Sequence, residues 1–272
     1  MKKPSVLRNF RSLVRRLESV SDEPEAEARG LYAHLGLSLL DPWPEDLEPW
    51  LATVIERRRR GEPLAYILGH QAFLDLELKV TPAVLIPRPD TETLALRARH
   101  RAETARASVI VDVGTGSGAI ALYLARHLPK AWIIATDRSE AALRIARQNA
   151  HRWHLTLHWV QANLLQGFRP ASVDLVVSNP PYVAESEYPR LPAEVRREPR
   201  VALVAGPRGT ELQEHLLRQA FSVLKPGGWI LLEHAPHQAE HLRRYAQSLG
   251  YRNLRTHPDL SGTPRVLEAQ KP

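Results

Sequence analysis

Four consecutive residues, Asn179-Pro180-Pro181-Tyr182, stand directly after the strand-like run Asp174-Leu-Val-Val-Ser178. Each has a task if a planar nitrogen is to be alkylated. An amide or aromatic amine nitrogen is a poor nucleophile because its lone pair is delocalised into the neighbouring π system. If its two N–H groups are held by the Asn179 side-chain oxygen and the Pro180 carbonyl, the lone pair is localised and aimed, which is catalysis by orientation and electrostatics. Pro181 biases residue 180 towards an extended backbone and so fixes where that carbonyl points. Tyr182 offers a flat face on which a planar amide or base can stack. The expected roles are catalytic for Asn179, Pro180 and Tyr182, and acceptor binding for these three with Pro181. No dedicated general base is evident and none is required, because the nitrogen becomes acidic once alkylated. A Pro-Pro turn ending a strand would explain the two prolines alone, but not the tetrapeptide beside a glycine loop.

That loop is Val111-Asp112-Val113-Gly114-Thr115-Gly116-Ser117-Gly118, which follows one strand and opens a helix. Its glycines allow a tight turn and close approach of the backbone to a ligand. Asp137 ends the next strand, where a residue that binds ribose hydroxyls belongs. The Gly-x-Gly-x-Gly spacing differs from the Gly-x-Gly-x-x-Gly that admits a pyrophosphate. Asp112, just before the loop, suits a cationic ligand better than an anionic one. Together these features favour S-adenosyl-L-methionine over a dinucleotide. The expected cofactor residues are Gly114, Thr115, Gly116, Ser117, Gly118 and Asp137, with Asn179 near the methionine end.

The elements that must position these residues alternate strand and helix. Val109 to Val113, Trp132 to Thr136, Leu155 to Val160, Leu175 to Ser178 and Trp229 to Glu233 read as strands, with final strands near Tyr251 and Val266. Helices are expected over Ala119 to His127, Ser139 to Ala150 and Glu211 to Leu224, with another from the Trp229 to Glu233 strand to Leu249. Such alternation builds a mostly parallel sheet covered on both faces, with ligands at the strands' carboxyl ends. The expected fold is therefore α/β: a Rossmann-like sheet of the class I S-adenosylmethionine-dependent methyltransferase type with a small N-terminal helical domain. In the first 60 or so residues Val6, Phe10, Leu13, Val14 and Leu17, and then Leu47, Trp50, Leu51, Val54 and Ile55, recur at helical spacing. The expected division is a helical domain over 1–71, to which the resemblance described below gives substrate recognition, a hairpin and proline-rich linker over 72–89, and a methyltransferase domain over 90–272. Asp90 stands where an N-cap would, ahead of a short helix through Leu94 and Leu96.

Composition bounds the reading. Of 272 residues none is cysteine, so disulfides, thiolate metal sites and cysteine nucleophiles are excluded. No apolar run approaches the roughly 20 residues of a membrane span, and arginines interrupt the basic N-terminus before a signal peptide could form. A cytoplasmic protein is expected. The net charge of +7 fits an anionic partner such as RNA, work near the ribosome, or simply a basic proteome. The tract Arg57 to Arg60 reads as the charged end of a helix. His151, His154 and His158, and His234, His237 and His241, lack the carboxylate pattern of a metal site and read as solvated surface residues; no metal is expected.

With these motifs in place the chain resembles the protein-(glutamine-N5) methyltransferases that modify peptide chain release factors, often called PrmC or HemK. The resemblance spans almost the whole chain. It includes Gly61-Glu-Pro-Leu-Ala-Tyr-Ile-Leu-Gly69 and Leu85-Ile-Pro-Arg-Pro-Asp-Thr-Glu92. It also takes in the glycine loop, Asp137, the Asn179 tetrapeptide, Glu198-Pro199 with Ala202-Leu203, and Leu224-Lys-Pro-Gly-Gly228. It implies that Gly114 to Gly118 and Asp137 hold the cofactor, that Leu164 lies beside its adenine, and that Asn179 to Tyr182 bind a glutamine in a Gly-Gly-Gln motif. It further implies that the helical part helps recognise a release factor, with neither a membrane nor a nucleic-acid substrate, by an enzyme acting as a monomer. Asn163, Asp90 and Ala235 depart from the family's commoner residues. The rival readings are a methyltransferase for adenine N6 or guanine N2, which would have to flip a base, and a non-catalytic adaptor for RNA or the ribosome. A nicotinamide oxidoreductase is disfavoured by the glycine spacing.

Overall fold

A computed structural model describes residues 6–39, 41 and 43–272, with only the backbone of 6–8. The basic opening Met1 to Ser5 lies outside the described residues. The chain forms two compact units: the described residues up to Gly69 with Pro192–Arg197, and His70–Leu191 with Glu198–Pro272.

The first unit is helical: α1 (Val6–Leu17), α2 (Pro24–His34), α3 (Glu48–Arg59) and α4 (Leu64–Leu68). Leu13, Leu17, Leu31, Tyr32, Leu51 and Val54 form its core, so the helical spacing of the sequence marks the buried stripe. The helices α2 and α4 were not singled out from the sequence; α2 begins with Pro24 in its first turn, where a missing N–H costs nothing. The arginine tract does end a helix, but Arg58 turns inward and is 4% exposed. Its guanidinium donates to Glu27 at 2.6 Å and to Glu194 at 2.8 Å, as a buried cation must.

The second unit opens with the antiparallel hairpin β1 (His70–Phe73) and β2 (Leu76–Lys79), then α5 (Pro89–Ala105). There follow β3 (Val109–Val113), α6 (Ala119–His127), β4 (Trp132–Asp137), α7 (Glu140–Arg152), β5 (His158–Gln161), β6 (Val173–Ser178) and β7 (Val183–Ala184). The chain closes with β8 (Val204–Gly206), α8 (Glu211–Val223), β9 (Leu224–Glu233), α9 (Ala239–Ser248), β10 (Arg252–Pro258) and β11 (Pro264–Gln270). The seven-stranded sheet has the order β10-β11-β9-β6-β3-β4-β5. Only β11 runs against its neighbours. The expected α/β fold is the one observed.

Both faces are covered, so the strands carry apolar residues at successive positions. Ile110, Leu175, Val177 and Leu231 pack on the side of α5, α6 and the hairpin. Val111, Val113, Val176 and Leu232 pack on the side of α8 and α9. The chain winds outward from β3 through β4 to β5, then crosses back to lay β6 on the other flank of β3. The switch point lies between β3 and β6, where a crevice opens beyond the strand ends.

Two local expectations change. Pro89 occupies the first turn of α5 and Arg88 is its N-cap, so Asp90 sits inside the helix rather than capping it. There its charge faces the helix N-terminus and pairs with Arg265 at 3.0 Å. The helix also runs on to Ala105, because its alanines, leucines and arginines favour continuation. Among the described residues no helix is long and apolar enough to cross a membrane.

Candidate active site

The strand pairing brings the two motifs together. Asp112 of β3 lies in register with Val177 of β6, so the glycine loop and the Asn179 tetrapeptide leave adjacent strands at the same edge. The Ser178 hydroxyl donates to the Val113 carbonyl at 2.6 Å and ties these ends together.

The glycine loop turns with positive φ at Gly114, Gly116 and Gly118. Gly118 also packs closely: a Cβ there would meet Leu122 Cδ1 at 3.0 Å and Ala146 Cβ at 3.2 Å. The loop is held from below. Gly114 and Thr115 both donate their N–H to the Thr136 carbonyl, at 2.9 and 2.8 Å. Asp112 accepts from the Thr115 hydroxyl at 2.7 Å and from the Ala121 N–H at 3.1 Å. It is 1% exposed, and burial pushes its carboxyl up to about 7. Asp112 therefore braces the loop against α6 and does not face the pocket, contrary to the role expected for it beside a cationic ligand.

Asp137 does face the pocket. Its carboxylate accepts from the N–H of Gly116 at 3.0 Å and of Ser139 at 2.8 Å. Ser139 in turn caps α7, accepting from the Ala142 N–H. Burial holds the Asp137 carboxyl above the usual aspartate value, against the lowering pull of these amides. Further donors, such as a ribose diol, would stabilise its charged form.

The pocket beyond the strand ends is lined by Gly114, Gly116, Asp137, Leu164, Asn179, Pro180 and Pro181, with apolar walls from Leu85, Val113, Ala142, Ala162 and Leu212. An apolar slot with one carboxylate and a turned glycine backbone fits a nucleoside, and S-adenosylmethionine carries one. Leu164 holds φ at +56°, a conformation that costs a non-glycine residue about 1–3 kcal/mol and is characteristic of ligand sites. Thr115, Ser117 and Gly118 lie beneath this lining, Thr115 and Ser117 being buried.

Asn179 donates through Nδ2 to the Thr91 hydroxyl of α5 at 2.9 Å. Among the described residues no donor reaches its Oδ1 or the Pro180 carbonyl, so both acceptors remain available to a ligand. Tyr182 is half-buried, and burial pushes its hydroxyl up to about 12. Its backbone is clamped: Gln238 Nε2 donates to the Tyr182 carbonyl at 2.9 Å and to that of Gly209 at 3.0 Å. A Cβ on Gly209 would meet the Tyr182 carbonyl at 2.7 Å, so only glycine fits against the motif. Just beyond, Val183 of β7 pairs with Val204 of β8.

Sequence reasoning missed Thr91, Gly209, Gln238 and Glu233 as parts of this site. The signal for Thr91 was its place in the Ile-Pro-Arg-Pro-Asp-Thr-Glu run, whose Arg88 side chain and Ile86 N–H both donate to the buried Glu198. Glu233 ends β9 with 0% exposure, and neither carboxylate oxygen has a hydrogen-bond partner. Burial pushes it up to about 7, partly offset by Thr91, Arg265 and Arg88. The histidines are dispersed. His158 stacks on Trp132 and His241 donates through Nε2 to the Glu214 carboxylate, 2.8 Å away. His234 is fully buried rather than solvated, because it follows Glu233 in the interior of the sheet.

Comparison with known proteins agrees with this geometry. Residues 88–196 match the family described as Methyltransferase small domain. The chain is 42% identical over 234 residues to the release factor glutamine methyltransferase of Moorella thermoacetica, covering 84% of this chain and 83% of that one. It is 40% identical over 267 residues to the enzyme of the same description from Vibrio cholerae, covering 93% and 92%. Among solved structures, a methyltransferase from Pyrococcus furiosus superposes with a TM-score of 0.54 at 22% identity, covering 74% of this chain and 91% of that one, a likeness of fold.

Proposed function

The chain belongs to the release factor glutamine methyltransferase family, and from that premise we propose that it methylates N5 of the glutamine in the Gly-Gly-Gln motif of peptide chain release factors. The methyl donor is S-adenosyl-L-methionine, which when bound supplies an electrophilic methyl group on a sulfonium. The observation that carries the reading is the meeting of Asp137, Leu164, Asn179 and Pro180 in one pocket at the switch point of the sheet.

Each residue contributes in its own way. The Asp137 carboxylate accepts the ribose hydroxyls, and Leu164 with Ala142 and Ala162 forms the apolar slot for the base. Asn179 Oδ1 and the Pro180 carbonyl accept the two N–H groups of the glutamine side chain. Those two bonds orient the nitrogen lone pair and draw it out of amide resonance, an effect that costs no reorganisation at the moment of reaction. Tyr182, clamped by Gln238 and Gly209, walls the acceptor with its ring. After transfer the nitrogen is cationic and releases a proton to water. The compact helical unit, with its own core, contributes recognition of the protein acceptor.

The test is incubation with labelled S-adenosylmethionine and a total cell extract, followed by separation of protein from nucleic acid. Label on release factors is expected. Label on RNA or DNA, with release factors unlabelled, would instead make this a methyltransferase for exocyclic amines of bases.

A further inference from the structure

An Asn side chain has two ends of nearly the same shape and opposite polarity, and only one is useful here. Oδ1 turned towards the acceptor holds an N–H; Nδ2 turned that way would repel it. The backbone around Asn179 does not distinguish the two. What distinguishes them is the group behind, the Thr91 hydroxyl, which lies 2.9 Å from the asparagine amide. A hydroxyl can accept or donate, so the choice passes to whatever Thr91 itself faces. Thr91 lies in the first turn of α5, a helix that packs against β9, and its hydroxyl bears on Glu233 as the side-chain hydrogen-bonding group that favours the charged form. Glu233 is fully buried, and neither oxygen accepts a bond in regular hydrogen-bond geometry, which leaves both open to the Thr91 hydroxyl.

We propose that Thr91 and Glu233 form a polarity relay that fixes which end of the Asn179 amide faces the acceptor, so that both are positioning residues for methyl transfer. The relay rests on the glutamine-methylating function given above. An ionised Glu233 can only accept, so it takes the single hydroxyl hydrogen of Thr91. The Thr91 oxygen is then left as an acceptor, Asn179 must offer Nδ2 to it, and Oδ1 faces the pocket. A neutral Glu233 can donate instead. The Thr91 hydrogen is then free for Asn179 Oδ1, the chain of bonds reverses, and Nδ2 faces the pocket.

The groups around Glu233 are those of a site held near this balance. Arg265 of β11 and Arg88 ahead of α5 favour the ionised form, while burial and Asp90 oppose it. The Tyr182 hydroxyl feels the Glu233 charge as well. His234, next along the chain after β9, is kept neutral by burial and donates its Nδ1–H to the Ala235 carbonyl, so it adds no charge. Gln213 reaches Glu233 only at the backbone carbonyl, 3.1 Å away. A buried carboxyl without a regular hydrogen bond is costly, and the relay gives the one at Glu233 a role beside the acceptor motif.

The test uses the full chain. Thr91→Val keeps the shape and removes the hydroxyl, and Thr91→Ser keeps the hydroxyl. The relay predicts that Thr91→Val lowers kcat about tenfold or more, the scale of one directed hydrogen bond, with S-adenosylmethionine affinity by calorimetry changed less than about threefold. Thr91→Ser should recover most of the rate. The wild-type kcat should rise with pH through about 7, as Glu233 ionises, and Glu233→Gln, whose amide can both donate and accept, should lose that limb. The Asn179 side-chain NH2 signal in ¹⁵N NMR spectra should shift over the same pH range in the wild type and stay still in Glu233→Gln. That readout needs no acceptor, so it tests the relay even if the methylated substrate is not a release factor; the wild-type turnover tests the function separately. A wild-type rate in Thr91→Val, no recovery in a folded Thr91→Ser, or the same NMR titration in Glu233→Gln and the wild type would overturn the relay.

Discussion

Asp112 and Glu233 are a natural pair. Both lie on the face of the sheet covered by α5 and α6, both stand at or near the carboxyl end of a strand, and burial pushes both up to about 7. Their surroundings differ. Asp112 accepts from the Thr115 hydroxyl and the Ala121 N–H and is shut away from the pocket. Glu233 accepts no bond in regular geometry, and the group that bears on it is the Thr91 hydroxyl that holds Asn179. The difference teaches that burial and a raised pKa do not by themselves mark chemistry. A carboxyl that joins the hydroxyl of its own loop to the backbone of the helix behind, as Asp112 does through Oδ2, is a brace. One whose oxygens are left open beside the reacting motif is placed to govern the direction of other bonds.

Three substitutions sharpen or break this contrast, beginning with the largest effect. Asn179→Ala removes the acceptor on the Glu233 side while leaving the glycine loop intact, so methyl transfer should fall by roughly 100-fold or more. Steady-state kinetics with calorimetry of S-adenosylmethionine binding would show it, and a rate loss matched by an equal loss of cofactor affinity would place Asn179 in the wrong half of the pocket. Asp137→Ala acts on the cofactor half. It should weaken S-adenosylmethionine by about 2 kcal/mol, roughly 30-fold, since charge-assisted hydrogen bonds contribute about 1.5–3 kcal/mol each. Calorimetry giving an unchanged affinity would remove Asp137 from the site.

The smallest effect on rate is expected at Asp112, and its signature is in stability. Between the ordinary aspartate value and about 7, the folded chain retains a proton that the unfolded chain has released. Stability contributed by this group is therefore present at low pH and lost as pH rises through that window, with the full cost of the buried charge present above about 7. Asp112→Asn removes that dependence. Urea unfolding at pH 5 and pH 8 should show a smaller drop in stability for the variant than for the wild type, with kcat altered only a few-fold. A kcat loss as large as that of Thr91→Val would erase the distinction between brace and relay.

Much of this was legible in the sequence because it is local. The glycine loop, Asp137 and the Asn179 tetrapeptide each follow a strand directly, and parallel strands in a doubly wound sheet bring their ends together. The extents of β3 and α6 could be read from their apolar residues and flanking glycine. What was not legible depends on distant pairing. Thr91 reaches Asn179 across 88 positions, and Gln238 reaches Tyr182 across 56. Neither residue type carries a motif of its own. Gly209 reads as an ordinary turn glycine until the Tyr182 carbonyl is found against it. Asp112 misled because a carboxylate beside a loop looks the same whether it faces the ligand or the helix behind. Arg58 misled for the same reason, since a helix-end tract gives no sign of which arginine turns inward.

The most direct measurement takes the purified chain, S-adenosylmethionine and a purified release factor, and locates the product by mass spectrometry of the digested factor. The account predicts one added methyl group, on the glutamine of the Gly-Gly-Gln motif, and none on a factor in which that glutamine is replaced by glutamate, whose carboxylate offers neither the N–H pair nor the nucleophilic nitrogen. A methyl group elsewhere in the factor, or equal methylation of the glutamate form, would contradict it.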